Sequence, residues 1–365
     1  MHTLKISSKP STITISGSNN LLAVSYNSDS ISAFPPNLSV YNIGPSFILK
    51  EQTVDGPCFS LGRSIAPFQS GFFASAPASS FRWGDPGSLI LKLLPPFEEF
   101  QKLPYPNIPY GETLSSSKSG NLVIACTPLS SSDCLLIEGR KIRALNAPVS
   151  TNLFGLSVAV SPNSSHICTI SSSVEGNSLL HFFNNQGNLI ATFTLPHNPP
   201  LTARSYPPFI QFLDEKHVIV SFFDVSKILL YKNTNNGWVL VQTHDTDAKS
   251  MSLIGKNIVS LSRDGKVQIL NKDFDVLNQE IVPKTFQKSA FTKVTGGSDW
   301  FAVLEESPEK RRIHIYTMRM NPFVKGTGIF ILFLVIVAVY IFLRTKLDFS
   351  RFINRLERRR NAKQI

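Results

Sequence analysis

The chain has 365 residues, 42% of them hydrophobic and 17% charged, which allows one large core or two ordinary ones and excludes a disordered chain. Its net charge of +11 reads as a nucleic-acid signal until it is located. Eight basic residues from Arg344 to Lys363 face only Asp348 and Glu357, so six of the eleven excess charges sit in the last 22 residues. Such a tail beside an apolar run is explained by lipid headgroups, and no nucleic-acid partner is expected.

From the N-terminus to Arg319 the sequence is a succession of short β-prone runs separated by Gly, Asn, Ser and Pro, beginning "STITIS", "NLLAVSY", "LSVYNI" and ending "WFAVL", "RIHIYTM". None of these runs sustains a 3.6-residue period, so the pattern is all-β. The spacing recurs at roughly 35–45 residues, the range of propeller blades. Seven units follow in order at about 11–50, 60–100, 109–148, 153–197, 208–246, 250–285 and 290–319. The fold expected over 1–319 is a seven-bladed β-propeller, because closing four-stranded blades into a ring leaves only short, protected sheet edges.

Three of the units share a motif. "LGRSIAPF", "YGETLSSS" and "FGLSVAVS" each place a glycine (Gly62, Gly111, Gly155) two residues before a hydroxyl (Ser64, Thr113, Ser157). Glycine there permits a positive φ or a close backbone approach. With Phe154-Gly155 and Ala76-Pro77 as its namesake pairs, this resembles the FG-GAP repeat, the blade of integrin α-type propellers, over most of 60–245. In the next unit the turn Asn235-Asn236-Gly237 with Trp238 reads as a hairpin. The resemblance implies a binding or adhesion receptor. Many blades of that family carry an Asp/Asn-rich calcium loop, but here the turns read "PFQSGF", "SKSGN" and "SPNSSH" without carboxylates, so neither calcium nor any other cofactor is expected.

Ser157 taken alone invites a nucleophile reading. A nucleophile occurs once, however, whereas this hydroxyl recurs in three units, and the second glycine of a nucleophile elbow is missing. His181 and His314 fall at alternating strand positions, and Asp245 with Asp247 form a loop acid pair. No catalytic or metal-binding residue is assigned, and the chain is read as non-enzymatic. Recognition of a protein or glycan ligand through propeller-face loops is the expected chemistry, with Phe81, Arg82 and Trp83 in "ASSFRWGDP" as the candidate binding loop. Asn37 and Asn163 head sequons that become glycosylation sites if the propeller faces the lumen or exterior. The four cysteines show no zinc spacing; they form either a Cys126–Cys134 disulfide or a set of buried thiols.

Residues 326–343, "GTGIFILFLVIVAVYIFL", are uncharged and nearly all apolar, and 18 residues of helix extend about 27 Å, enough to cross a bilayer core. A single transmembrane helix is expected there. In the tail, 344–365, Phe349, Phe352, Ile353 and Leu356 share one helical face and Arg351, Arg355, Arg358 and Arg359 the other, the pattern of a helix on an anionic leaflet. The positive-inside rule favours a cytosolic tail and hence a lumenal or extracellular propeller, in the secretory pathway or at the cell surface. The start of the chain lacks an apolar leader region, which argues the other way. A propeller with one C-terminal span and no leader is also similar to the Sec12 family of endoplasmic reticulum nucleotide-exchange factors, with a faint likeness over 19–43. That alternative implies a cytosolic propeller acting on a small GTPase.

Overall fold

The structure, a computed structural model, describes residues 2–318 except 7–11, 28–36, 45–47, 56–60, 70, 78–87, 95–96, 105–107, 197–207, 224, 287–288 and 308–309. Phe81, Arg82 and Trp83, the apolar run 326–343 and the basic tail 344–365 lie outside the described residues. Among the described residues no helix is long and apolar enough to cross a membrane.

Seven four-stranded antiparallel sheets follow one another along the chain. The first strand, β1 (His2–Ile6), belongs to the last sheet. Blade 1 is β2 (Thr12–Ser18), β3 (Leu21–Asn27), β4 (Asn37–Ile43) and β5 (Ile48–Asp55). Blade 2 is β6 (Ile65–Phe68), β7 (Gly71–Ala76), β8 (Leu89–Leu94) and β9 (Phe97–Lys102). Blade 3 is β10 (Thr113–Ser116), β11 (Val123–Thr127), β12 (Asp133–Glu138) and β13 (Lys141–Leu145). Blade 4 is β14 (Thr151–Val160), β15 (His166–Ser173), β16 (Ser178–Asn184) and β17 (Leu189–Thr194). Blade 5 is β18 (Phe209–Phe212), β19 (His217–Phe222), β20 (Lys227–Thr234) and β21 (Gly237–Asp245). Blade 6 is β22 (Ala248–Ile254), β23 (Asn257–Ser262), β24 (Lys266–Leu270) and β25 (Val276–Ile281). Blade 7 is β26 (Ala290–Gly296), β27 (Trp300–Glu306) and β28 (Arg311–Thr317), and its fourth strand is β1, paired from His2↔Ile315 to Ile6↔Arg311. The seven inner strands touch in a closed cycle, β26 meeting β2. The chain is therefore a seven-bladed propeller. The first strand closing the last blade is a feature the sequence pattern did not announce; it covers the edge that blade 7 would otherwise expose.

The second strand of each blade explains the apolar runs. In β7, "GFFASA", and β11, "VIACT", every residue is buried, because both faces of the sheet are covered by neighbouring blades. Outer strands such as β25, "VLNQEI", are exposed throughout. The apolar cores accordingly form between blades. One joins Phe154, Val158 and Phe183 of blade 4 to Ile124, Leu136 and Cys126 of blade 3. Another joins Phe182 and Leu180 of blade 4 to Phe212, Tyr231 and Trp238 of blade 5. Each fully buried large apolar side chain contributes about 1.5–3 kcal/mol. Cys126 and Cys134 stand opposite one another on β11 and β12 and are joined as a disulfide, which decides the pairing that composition left open; Cys168 is a buried free thiol.

An antiparallel meander gives every blade two ends. The turns between first and second and between third and fourth strands lie at one end, here called the turn face. The loops between second and third strands, with the connectors between blades, lie at the other, the connector face. The inner strands run parallel around the ring: Thr14 near the start of β2 donates to the Arg63 carbonyl 3.4 Å away, and Ser18 at its end bonds the Phe68 carbonyl.

Candidate protein-docking face

The shared motif sits where the chain enters each inner strand, Gly62 and Gly111 just before β6 and β10 and Gly155 within β14. Gly155 has φ +83°, and a Cβ there would lie 2.5 Å from Cys126 Cβ and from Cys134 Sγ, so only glycine can lie against the disulfide of the preceding blade. Gly111 and Gly62 sit the same way on Ser75 and Ser25. Two of the motif hydroxyls, and Ser75 of β7, then bridge blades. Thr113 Oγ1 donates to the Gly155 carbonyl at 2.6 Å, Ser157 Oγ to the Pro208 carbonyl, and Ser75 Oγ to the Gly111 carbonyl at 2.6 Å. Ser157 is thus engaged as an interblade hydrogen-bond donor.

The other singled-out side chains fall in separate places. His181 is buried in blade 4, its Nε2 2.7 Å from Ser171 Oγ and its Nδ1 2.9 Å from Thr192 Oγ1; burial pulls its pKa down to about 4. His314 is buried in blade 7, with Nε2 2.8 Å from Glu305 Oε2. Glu305 also accepts from Thr285 N, Phe286 N and Ser289 Oγ. Burial acts to raise the Glu305 pKa, but the bonds from Ser289, His314 and the two amides outweigh it and hold the group at about 2. Asp245 pairs with Lys227 at the blade 5 edge, and Asp247 is exposed. Among the described residues no group of three or more His, Cys, Asp or Glu is placed to hold a metal. The carboxylate-free turns are turn-face elements bonded to one another: Gln69 N donates to the Lys118 carbonyl at 2.7 Å, and Lys118 N to the Pro162 carbonyl at 3.2 Å. Asn163 is exposed beside them, its backbone N–H capped by Glu215 of blade 5. Asn37 opens β4 at the connector face, between Tyr26 and Asp55.

What the structure brings together lies on the connector face over blades 3 and 4. Three apolar side chains stand out there: Leu129 (50% exposed) between β11 and β12, Val149 (95%) before β14, and Val174 (67%) after β15. Their backbones are tied together. Val174 N donates to the Ser150 carbonyl at 3.2 Å, and Leu153 N to Ser132 Oγ at 3.1 Å. Ser132, Ser150 and Leu153 all hold positive φ (56°, 64° and 54°), a strained state for residues with a Cβ. At the edge, Glu112 Oε2 accepts from Leu129 N at 3.2 Å; burial raises its pKa, opposed by that bond and by Arg63. Asp133 and Glu175 add two further carboxylates to these loops. Exposed apolar groups on a backbone held by hydrogen bonds, rimmed by acids, suit recognition of another macromolecule. Sequence reasoning passed over these residues, although each is a lone apolar residue in a turn: "PLSSSD", "APVSTN" and "SSVEGN".

No family model matches the sequence, and no curated protein matches it either. Solved structures match the fold. The chain is similar to the β-propeller domain of Cps50 (Swd1) from Myceliophteria thermophila, with a TM-score of 0.61 at 8% identity, covering 86% of this chain and 99% of that one. The WD40 β-propeller domain of Doa1 gives 0.56 at 15% identity over 87% and 96% of the two chains. Raptor from Chaetomium thermophilum gives 0.58 at 10% identity over 87% of this chain and 29% of its own length. At these identities the likeness establishes the propeller and nothing finer.

Proposed function

We propose that the chain is a non-enzymatic protein-interaction propeller, anchored through residues 326–343, that docks its partner on the connector face of blades 3 and 4. The observation that carries this is the tied, strained cluster bearing Leu129, Val149 and Val174, since loops on rigid blades are where such folds place recognition. A photo-crosslinking residue at Val149 is the test. It should capture a discrete partner that the same residue at Asn235, on the turn face, does not, and Val174→Asp should abolish the capture. Equal capture from both positions, or capture indifferent to Val174→Asp, would sink the assignment.

The finer readings differ in membrane side. An FG-GAP-type adhesion receptor in the secretory pathway or at the surface needs a lumenal or extracellular propeller, and the three in-phase glycine motifs favour it. A Sec12-like exchange factor needs a cytosolic propeller. Glycan on Asn163, which is exposed, would support the receptor; protease-accessible, unglycosylated blades in sealed microsomes would exclude it and make GTPase binding the next assay.

A further inference from the structure

Most exposed large apolar residues among the described ones are not on the connector face. They lie on the outer strands of three consecutive blades: Leu189 and Ile190 on β17, Leu240 and Val241 on β21, Val276 and Leu277 on β25. Leu189, Ile190, Val276 and Leu277 follow directly on the turn between third and fourth strands, at the turn-face end of the rim; Leu240 and Val241 lie mid-strand on β21 after exposed Val239, and exposed Ile281 ends β25 at the other side. On Leu240 and Val241, neighbours in sequence, opposite faces of the strand are open, so no adjoining blade covers this edge. Exposed apolar residues of this kind on outer strands are a contact surface or a liability.

Charge in the same place is mostly positive, with Asp273 the exposed acid beside Lys272. Lys216, Lys232, Lys256 and Lys272 are exposed on the turn-face turns and strand ends of blades 5 and 6, and none is in an ion pair among the described residues. Other neighbouring acids are engaged: Asp214 bonds His217 at 2.9 Å, Glu215 caps Asn163, and Asp275 bonds Asn271 at 2.9 Å. Apolar side chains beside unpaired lysines suit a bilayer interface, where the first enter the acyl boundary and the second meet headgroups.

The chain path specifies the occupant. β28 runs from the connector face to the turn face, ending at Thr317 in blade 7, next to blade 6 in the ring. Eight residues, 318–325, then separate Thr317 from the apolar run at 326, a reach of at most about 28 Å when fully extended. We propose that the turn-face rim of blades 4–6 rests on a lipid bilayer, holding the turn face toward the membrane and the connector face outward. This rests on the membrane span read in 326–343.

The test uses the full chain in phosphatidylcholine–phosphatidylserine vesicles, carrying Cys58→Ser so that an introduced cysteine is the labelling target; Cys168 is buried and Cys126 is bonded to Cys134. A fluorophore is placed by Leu240→Cys, Leu277→Cys or Val149→Cys, all exposed positions, and each labelled chain is checked for an unchanged melting temperature. Lipids brominated on the acyl chain should quench the labels at 240 and 277 roughly twofold or more, and the label at 149 not at all. Equal quenching at the three positions, in a chain that resists alkaline extraction, would overturn the rim contact and leave the anchor standing. A chain released by alkali would overturn both.

Discussion

Blades 2 to 4 and blades 5 to 7 hold to their neighbours by means that differ in part. In the first group a glycine at one blade's entry lies on a small residue of the blade before it, and a hydroxyl closes the junction: Gly62 on Ser25, Gly111 on Ser75, Gly155 on Cys126. In the second group a related contact stands at the junction of blades 6 and 7, where Gly296 lies on Leu253 and Ile254 and Ser250 Oγ accepts from Val294 N at 3.0 Å. Trp238 of blade 5 stacks on Phe182 of blade 4, with ring centroids 4.1 Å apart and planes 12° from parallel. Blade 7 also buries Glu305, whose four hydrogen-bond donors come from the connector before the blade and from its own β28. Steric fit at glycine thus serves both halves, and the second adds an aromatic stack and a buried polar network. The two kinds of junction should respond differently to the same kind of perturbation.

The steric junction should be the less forgiving. Gly155→Ala drives a Cβ into a disulfide that cannot rotate away and demands φ +83° of alanine, so a loss of about 4 kcal/mol or failure to fold is expected. Gly139→Ala, at a positive-φ turn where an added Cβ meets nothing within 4 Å, should cost only about 1 kcal/mol. Denaturant unfolding of the two variants measures the difference; similar losses would mean that close packing does not govern the junction. Trp238→Ala should follow at about 3–4 kcal/mol, from lost burial and a cavity between blades 4 and 5.

The polar junction should reveal itself through pH. Glu305 is held below its unfolded pKa, so its contribution is complete above about pH 4.5 and is lost as pH falls toward about 2. Glu305→Gln should cost about 2–3 kcal/mol at neutral pH and remove the wild-type slope in that window. His181 acts in a higher window. Its folded pKa near 4 lies below the ordinary histidine value of 6.5, so the unfolded chain binds the extra proton and stability declines as pH falls from about 6.5 to about 4. His181→Gln should flatten that part of the melting-temperature profile while leaving the acidic part intact. A profile unchanged by either substitution would show that neither group is linked to folding.

The contrast between the two halves also explains what could be read in advance. Strand runs and their period gave the propeller, because a strand buried on both faces must be apolar throughout, as "VIACT" and "HVIVSF" are. The glycine motif was visible because its geometry demands one residue type at one spacing. An aromatic stack or a buried carboxylate makes no such demand: Trp238 needs Phe182, and Glu305 needs His314, from positions that no local pattern connects. Closure by β1 was hidden for the same reason, since "HTLKI" becomes the outer strand of blade 7 only through pairing with residues about 300 positions away. The connector-face residues were hidden differently. Val149 is recognisable only through exposure, which sequence does not record, whereas Phe81, Arg82 and Trp83 stand out by residue type and lie outside the described residues.

The smallest effect tests the meaning of the motif itself. Ser157 donates to the Pro208 carbonyl across the junction between blades 4 and 5, a junction that the Trp238 stack already fills. Ser157→Ala removes one neutral hydrogen bond and leaves a carbonyl that retains a second lone pair, so about 1 kcal/mol should be lost. Thr113→Ser, which keeps the donor to the Gly155 carbonyl, should cost less than Thr113→Ala, where the steric junction loses its closing bond. In a Trp238→Ala background, Ser157→Ala should cost more than it does alone, because the two contacts share one interface and their losses do not add. Strict additivity would mean that the hydroxyl and the stack hold the blades independently, and that the motif is a local turn device rather than part of the seal between blades.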